Sequence, residues 1–186
     1  DYKVGTTPVG DVLMEVDKLS CGDAVKDISF QLRSGEILGI AGLEGSGRTE
    51  LLETIFGWRT ASAGSLKLHG KDVRIRSTYD AKKNRLAYIT KERKMLGLFL
   101  GLDVQQNIAA ASTERYAPGG IVKFGLIAEN ARKYIKAMEI KCSGLTQKVL
   151  SLSGGNQQKV LLSMWLAADP DVVLIDEPTR GVDVGA

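Results

Sequence analysis

The stretch Gly39-Ile40-Ala41-Gly42-Leu43-Glu44-Gly45-Ser46-Gly47-Arg48-Thr49 constrains the fold more than any other part of the chain. An apolar run at 37–41 enters a glycine-punctuated turn, and residues 50–56 can form a helix with Leu51, Leu52, Ile55 and Phe56 turned inward. Glycines let backbone N–H groups converge, and the helix behind them offers its positive end to an anion, which is what a phosphate-binding loop requires. From Gly42 the residues read G-L-E-G-S-G-R-T, so G-x-x-x-x-G-K-[ST] is met with one departure, Arg48 in place of lysine. Arginine presents a wider planar fork than the compact ammonium of lysine, with different reach and hydration. Anion binding through the glycine backbone, Thr49 and the helix end survives that exchange more readily than turnover does.

A chain of 186 residues with 44% apolar composition can bury the core of one globular domain. With 25% charged residues and a net charge of +3, the balance gives no ground for a nucleic-acid or lipid partner. The runs Lys82-Lys83-Asn84-Arg85 and Lys91-Glu92-Arg93-Lys94 read as a solvated face. Cys21 and Cys142 show no CxxC spacing, so a reducing compartment and no structural zinc are expected. No apolar run reaches the length of a membrane span, and the first residues lack a basic-then-apolar signal. The chain starts without methionine, as an excised piece or processed product would.

Residues 1–11 read as a polar linker. Alternating apolar residues at 12–16, and again at Val25, Ile28, Phe30 and Leu32, predict two strands that form an edge hairpin or part of a small antiparallel sheet. The run 37–41 is expected to be a central strand. Residues 64–68 and 72–75 pair around the Gly70-Lys71 turn, where His69 is an ordinary turn residue. Residues 86–89 read as a buried strand, and 90–101 as a loop that turns back onto the core. Helical patterns follow at 103–111 and about 128–140, the second with Ala131, Tyr134, Ile135 and Met138 on one face.

Leu152-Ser153-Gly154-Gly155-Asn156-Gln157-Gln158-Lys159 sets a serine and two glycines before a helix at about 156–168. This is either an N-cap with flexible glycines or a second anion-recognition surface. Asp169-Pro170 ends the helix, and Val172-Val173-Leu174-Ile175 suits a central strand with Asp176 and Glu177 at its carboxyl end. One carboxylate there can hold the water shell of a phosphate-bound Mg²⁺, and a second can orient an attacking water. Each signal is weak alone; in this order they form a constellation.

The constellation resembles the nucleotide-binding domain of ABC transporter ATPases over almost the whole chain: 42–49 looks like the phosphate loop, 152–158 the signature segment, 172–177 the acidic strand, and 178–183 the turn into the dimer-contacting loop. The LSGGNQQ form, Gly47-Arg48-Thr49-Glu50-Leu51, Glu92-Arg93-Lys94 and Gly97-Leu98 are similar to the second of two fused ATPase halves of bacterial sugar importers of the ribose/galactose type. The resemblance implies an α/β fold: a P-loop NTPase core with a mainly parallel sheet, an N-terminal antiparallel β part and a small helical part, about 103–165, that carries the signature. It makes 12–186 a partial ATP-binding domain, without the switch histidine and closing strands that the family places further on.

The resemblance also implies the roles. Gly42, Leu43, Glu44, Gly45, Ser46, Gly47, Arg48 and Thr49 would hold one ATP, with Thr49 and Asp176 on Mg²⁺ and Glu177 on the hydrolytic water. Leu152, Ser153, Gly154, Gly155 and Gln157 would face the ATP of a partner half, and Lys91, Glu92 and Asp183 would couple the two sites. The position that usually holds glutamine after Tyr88-Ile89-Thr90 is taken by Lys91 or shifted into Glu92. Implied partners are a second ATPase half, a membrane permease and, indirectly, a periplasmic sugar-binding protein, with the chain on the cytoplasmic face of the cell membrane and no nucleic acid. Two other readings stay open: a non-hydrolysing half that completes its partner's site, and a soluble ABC ATPase of DNA repair or translation.

Overall fold

Strand pairing divides this chain into an antiparallel part and a parallel part, and the computed structural model describes residues 8–180 of it. Two units result, the first running to Asn84 and the second beginning at Arg85.

The first unit is built on β1 (Val12–Cys21), β2 (Val25–Arg33), β3 (Ala63–Leu68) and β4 (Lys71–Val73), in the order β2-β1-β3-β4. All three pairings are antiparallel, so the hairpin and the small sheet expected from the alternating runs are one structure. Met14 pairs with Leu68 and Val16 with Leu66, which puts four buried side chains on one face. A bulge between Val16 and Leu19, where Lys18 takes φ 48°, restores Leu19 to that face after a break in the alternation. Helix α1 (Arg48–Ile55) lies against β1 and buries Leu51 and Ile55, with Phe56 buried just past its end. A short α2 (Thr78–Lys83) starts at Ser77, whose hydroxyl accepts from the Asp80 N–H. The linker is tied at its end, since the Gly10 N–H donates to Ser34 O and the Ser34 N–H to Asp11 O.

The central strand expected at 37–41 does not form. Ile37 is 98% exposed and Ile40 40%, and the segment joins neither end of the four-stranded sheet. An apolar run sets a preference for burial, but a strand needs a neighbour whose N–H and C=O groups it can pair, and among the described residues this run has none.

In the second unit, β5 (Leu86–Ile89) and β6 (Val172–Ile175) pair in parallel, with Leu86 opposite Val172 and Ile89 opposite Ile175. Every residue of β5 is buried, as the continuous run Leu-Ala-Tyr-Ile predicts. Around this pair stand α3 (Val104–Ala110), α4 (Phe124–Ala137) and α5 (Gly154–Leu166). Asp103 and Gln106 close a reciprocal capping box at the start of α3. Helix α4 begins four residues before the expected 128, and its Tyr134, Ile135 and Met138 pack on the core around Ala131. Val104, Ile108, Val149, Val160 and Leu161 form the fully buried centre.

The loop 90–101 contains one π-helical turn at Arg93–Gly97 and does return to the core, with Leu98 buried. Its return is held by Asn107, a fully buried side chain on α3. The Asn107 amide donates to Phe99 O and Asp103 O, both at 3.0 Å, and its carbonyl accepts the Phe99 N–H at 2.9 Å. Asp169 and Pro170 lie between α5 and β6, where Arg85 pairs with both Asp169 and Asp171.

Candidate functional site

The glycine loop of the first unit is shaped by its backbone. The Ser46 N–H closes a turn on Leu43 O at 3.1 Å, Gly45 sits at φ 77°, and Gly47 at φ 89° is the residue from which α1 starts. The Leu51 N–H reaches Gly47 O at 2.8 Å, so the amides of the first helical turn point toward the loop. Gly47 is buried, and a Cβ built on it would stand 2.1 Å from Ala24 O. Only glycine permits both that φ and that approach. A Cβ on Gly45 would meet nothing within 4 Å, so space rather than contact surrounds that position. Arg48 and Thr49 occupy the first turn of α1, half-buried. Gly42, Leu43, Glu44 and Ser46 are exposed. Behind them the Thr54 hydroxyl donates to Glu50 O, and Arg59 pairs with Glu53. The donor set of backbone amides, a guanidinium and a hydroxyl suits a phosphoryl group.

In the second unit, both parallel strands deliver their carboxyl ends to one place. The ladder continues past β6 through the Asp176 N–H to Ile89 O at 2.9 Å. Alternation along β6 then sends Asp176 inward, 4% exposed, and Glu177, past the strand, is exposed. The Tyr88 hydroxyl stands 3.4 Å from Asp176 Oδ2. Glu177 is held at φ 42°, an unfavourable conformation for a residue with a Cβ. Across from it, the Glu92 N–H donates to the Thr90 hydroxyl at 3.1 Å. The Glu92 carboxylate accepts from Arg180 at 2.6 Å, and Arg93 donates to Arg180 O at 2.7 Å. Lys91, half-buried, lies on the same loop. Asp183 lies outside the described residues.

The 152–157 segment divides by face. Ser153 is exposed and caps α5, its hydroxyl accepting from the Asn156 side chain at 2.9 Å and from the Asn156 N–H at 3.4 Å. Gly154 and Gly155 are half-buried at the helix start. Leu152 belongs to the core, and Gln157, 3% exposed, donates to Val149 O at 3.2 Å. Ser153 is the N-cap of α5, and Leu152 and Gln157 anchor the motif that leaves Ser153 exposed and Gly154 and Gly155 half-buried.

Three residues of this end of the sheet escape a sequence reading: Tyr88 beside Asp176, and Arg93 and Arg180 in the bonds between the two loops. Tyr88 alternates with Ile89 inside an apolar run and carries no mark of a polar partner. Arg93 lies in a charge run that reads as solvated yet is buried.

The family model for the ABC transporter matches residues 25–180. A galactose/methyl galactoside import ATP-binding protein of Treponema pallidum is 45% identical over 180 residues, 96% of this chain and 36% of the relative. A protein of Rhizobium johnstonii named for ribose/galactose/methyl galactoside import is also 45% identical, over 96% of this chain and 35% of its own length. The chain therefore spans about a third of the length of the curated relatives it matches. Among solved structures, a nucleotide-free ATP-binding cassette from an ABC transporter superposes with a TM-score of 0.78 at 19% identity, covering 94% of this chain and 72% of that one. A glycine loop pinned on Ala24, a capped Ser153-Gly154-Gly155 helix start and an Asp-Glu pair after β6 stand in the order in which the family model runs along the chain, and the chain belongs to the ABC transporter family.

Proposed function

We propose that the chain is part of one nucleotide-binding half of a transport ATPase that binds Mg-ATP and couples its hydrolysis to import of a sugar. The observation that supports it most is the loop 42–49: its backbone is fixed at Gly47 against Ala24, Gly45 stands at φ 77° in open space, and the loop ends in the start of α1. Mg-ATP, when bound, supplies the scissile phosphoryl bond and a divalent charge. Gly42, Leu43, Glu44, Gly45, Ser46 and Gly47 line its phosphates with backbone, and Arg48 and Thr49 add side-chain donors. In the first unit the Thr49 hydroxyl, and in the second the Asp176 carboxylate, are each the kind of oxygen donor that a hard divalent cation takes. Glu177, exposed beside buried Asp176, is the acceptor for a proton of the attacking water. Ser153, Gly154 and Gly155 serve the ATP of a second half, supported from inside by Leu152 and Gln157, while Lys91, Glu92 and Asp183 couple the sites.

The partners proposed are that second ATPase half, a permease and a periplasmic sugar-binding protein, because the similar proteins are named as sugar-import ATP-binding proteins. No described helix is long and apolar enough to cross a membrane, and the proposed place is the cytoplasmic face beside the permease. Arg48 favours a second reading, a slow or non-hydrolysing half that completes its partner's site. The test is Glu177→Gln in the full-length protein assembled with its permease. ATP affinity should stay within about threefold while hydrolysis at this site falls on the order of 100-fold or more. A single-turnover measurement with the partner site disabled separates the two readings, and rapid turnover with Arg48 intact removes the second.

A further inference from the structure

Two loops leave the carboxyl end of the β5–β6 pair, and two contacts tie them together. Their roots are fixed by the register of Ile89 with Ile175 and by the Asp176 N–H on Ile89 O. Beyond the roots, Glu92 accepts from the Arg180 guanidinium at 2.6 Å, and Arg93 donates to the Arg180 carbonyl at 2.7 Å. Arg180 is therefore gripped at both its side chain and its backbone. Its own N–H closes the turn on Glu177 O at 3.1 Å. That turn carries Glu177 at φ 42°, a conformation that persists only where the surroundings hold it.

We propose that Arg180 is a positioning residue: through Glu92 and Arg93 it fastens the turn that carries Glu177 to the loop leaving β5, so that the direction of the Glu177 carboxylate follows the state of that loop. The proposal rests on the ATPase reading for its consequence in turnover. Its geometry stands without it. The Arg93 guanidinium is buried and its bond to Arg180 O acts as a fixed pivot, whereas the Glu92–Arg180 pair is half-exposed, with side chains 45% and 54% accessible. A pair of that exposure adds little to global stability. It can still decide which way a strained turn faces, and a movement of Lys91 or Glu92 would be passed to Glu177 by two bonds.

The test uses the full-length protein in its membrane assembly, with Glu92→Gln, Arg180→Ala, the double variant and Arg180→Lys. The single changes should lower kcat for ATP about tenfold with KM within twofold, since misplacing a reacting group by a fraction of its bond reach acts on turnover rather than on binding. The double variant should lose no more than the worse single one, because both break one contact, and Arg180→Lys should recover at least a third of the rate. Amide hydrogen exchange over 176–180 should quicken in Glu92→Gln and Arg180→Ala and return toward the parent in Arg180→Lys. Losses that add in the double variant, a kcat within twofold of the parent, or unchanged exchange would each overturn the proposal. If the parent protein bound no ATP, the ATPase reading would fall while the exchange pattern alone decided whether Arg180 holds the turn.

Discussion

Three alanine substitutions in one loop should differ widely, and the structure orders them. Gly45→Ala adds a methyl into open space at φ 77°, so its cost is backbone strain alone, about 1 kcal/mol. In Gly42→Ala the new Cβ meets the Ser46 hydroxyl at 2.5 Å, but that oxygen is on a rotatable side chain and can swing away for roughly 1 kcal/mol or less. Gly47→Ala adds strain at φ 89° and sets a Cβ 2.1 Å from Ala24 O, which is backbone and cannot rotate aside. Separating them to van der Waals distance moves either the β1–β2 turn or the start of α1 by about an ångström, an overpacking cost of about 1–3 kcal/mol beyond the strain. The sum is about 2–4 kcal/mol, taken as lost stability or as a loop shifted from its binding shape. Urea unfolding and ATP-analogue titration of the full-length variants measure the two outlets together. Gly47→Ala should lose over about 30-fold in affinity or more than about 2 kcal/mol in stability, with the other two within tenfold of the parent. If Gly47→Ala behaved like Gly45→Ala, the loop would not be pinned on Ala24, and the argument from its geometry would fail.

Other perturbations test other parts. Asn107→Ala removes three hydrogen bonds of a fully buried side chain and takes the side-chain acceptor from the Phe99 N–H, while Phe99 O keeps the Leu102 N–H, so unfolding free energy should fall by about 2 kcal/mol in a urea titration, with faster exchange over 98–101. Burial pushes the Tyr134 hydroxyl above its ordinary value, with the Tyr116 and Asp169 charges acting the same way, and its O–H donates to Leu166 O at 2.9 Å. Because the folded pKa is the higher one, this contribution is complete below the ordinary tyrosine pKa and is lost as pH rises through the folded value. Tyr134→Phe should cost about 1 kcal/mol at neutral pH, and the deficit should shrink in alkali when unfolding is followed against pH. Arg48→Lys should raise single-turnover hydrolysis at this site if the width of the guanidinium limits it; an unchanged rate would place the limit elsewhere.

Much of the local structure was legible because it depends on near neighbours in the chain. The alternation at 12–16 and 25–32, the Gly70 turn, the helical pattern from 103 and the Ser153 cap each follow from residues a few positions apart. The run 37–41 was misread for the complementary reason: apolar composition is local, whereas a ladder partner is not. Asn107 was missed on the same ground. Nothing in its helical period shows that Phe99, eight positions earlier, will turn both backbone groups toward it. Arg93 shows the converse, a charge inside a basic run that is buried because a carbonyl 87 residues away completes it.

The acidic pair combines both kinds of information. Asp176 continues the alternation of β6 and is buried at the sheet end, whereas Glu177 lies past the strand at φ 42° and is exposed. Strand alternation accounts for the first carboxylate, and the left-handed turn for the second. In the proposed ATPase, a buried carboxylate beside the Tyr88 hydroxyl suits the holding of an ion, and an exposed one suits the meeting of water. The φ of 42° at Glu177 shows that the backbone of the turn takes part in setting its direction. The turn 177–180 is then as much a part of the site as the carboxylate, and its bonds to Glu92 and Arg93 are where a change in the neighbouring loop would reach the chemistry.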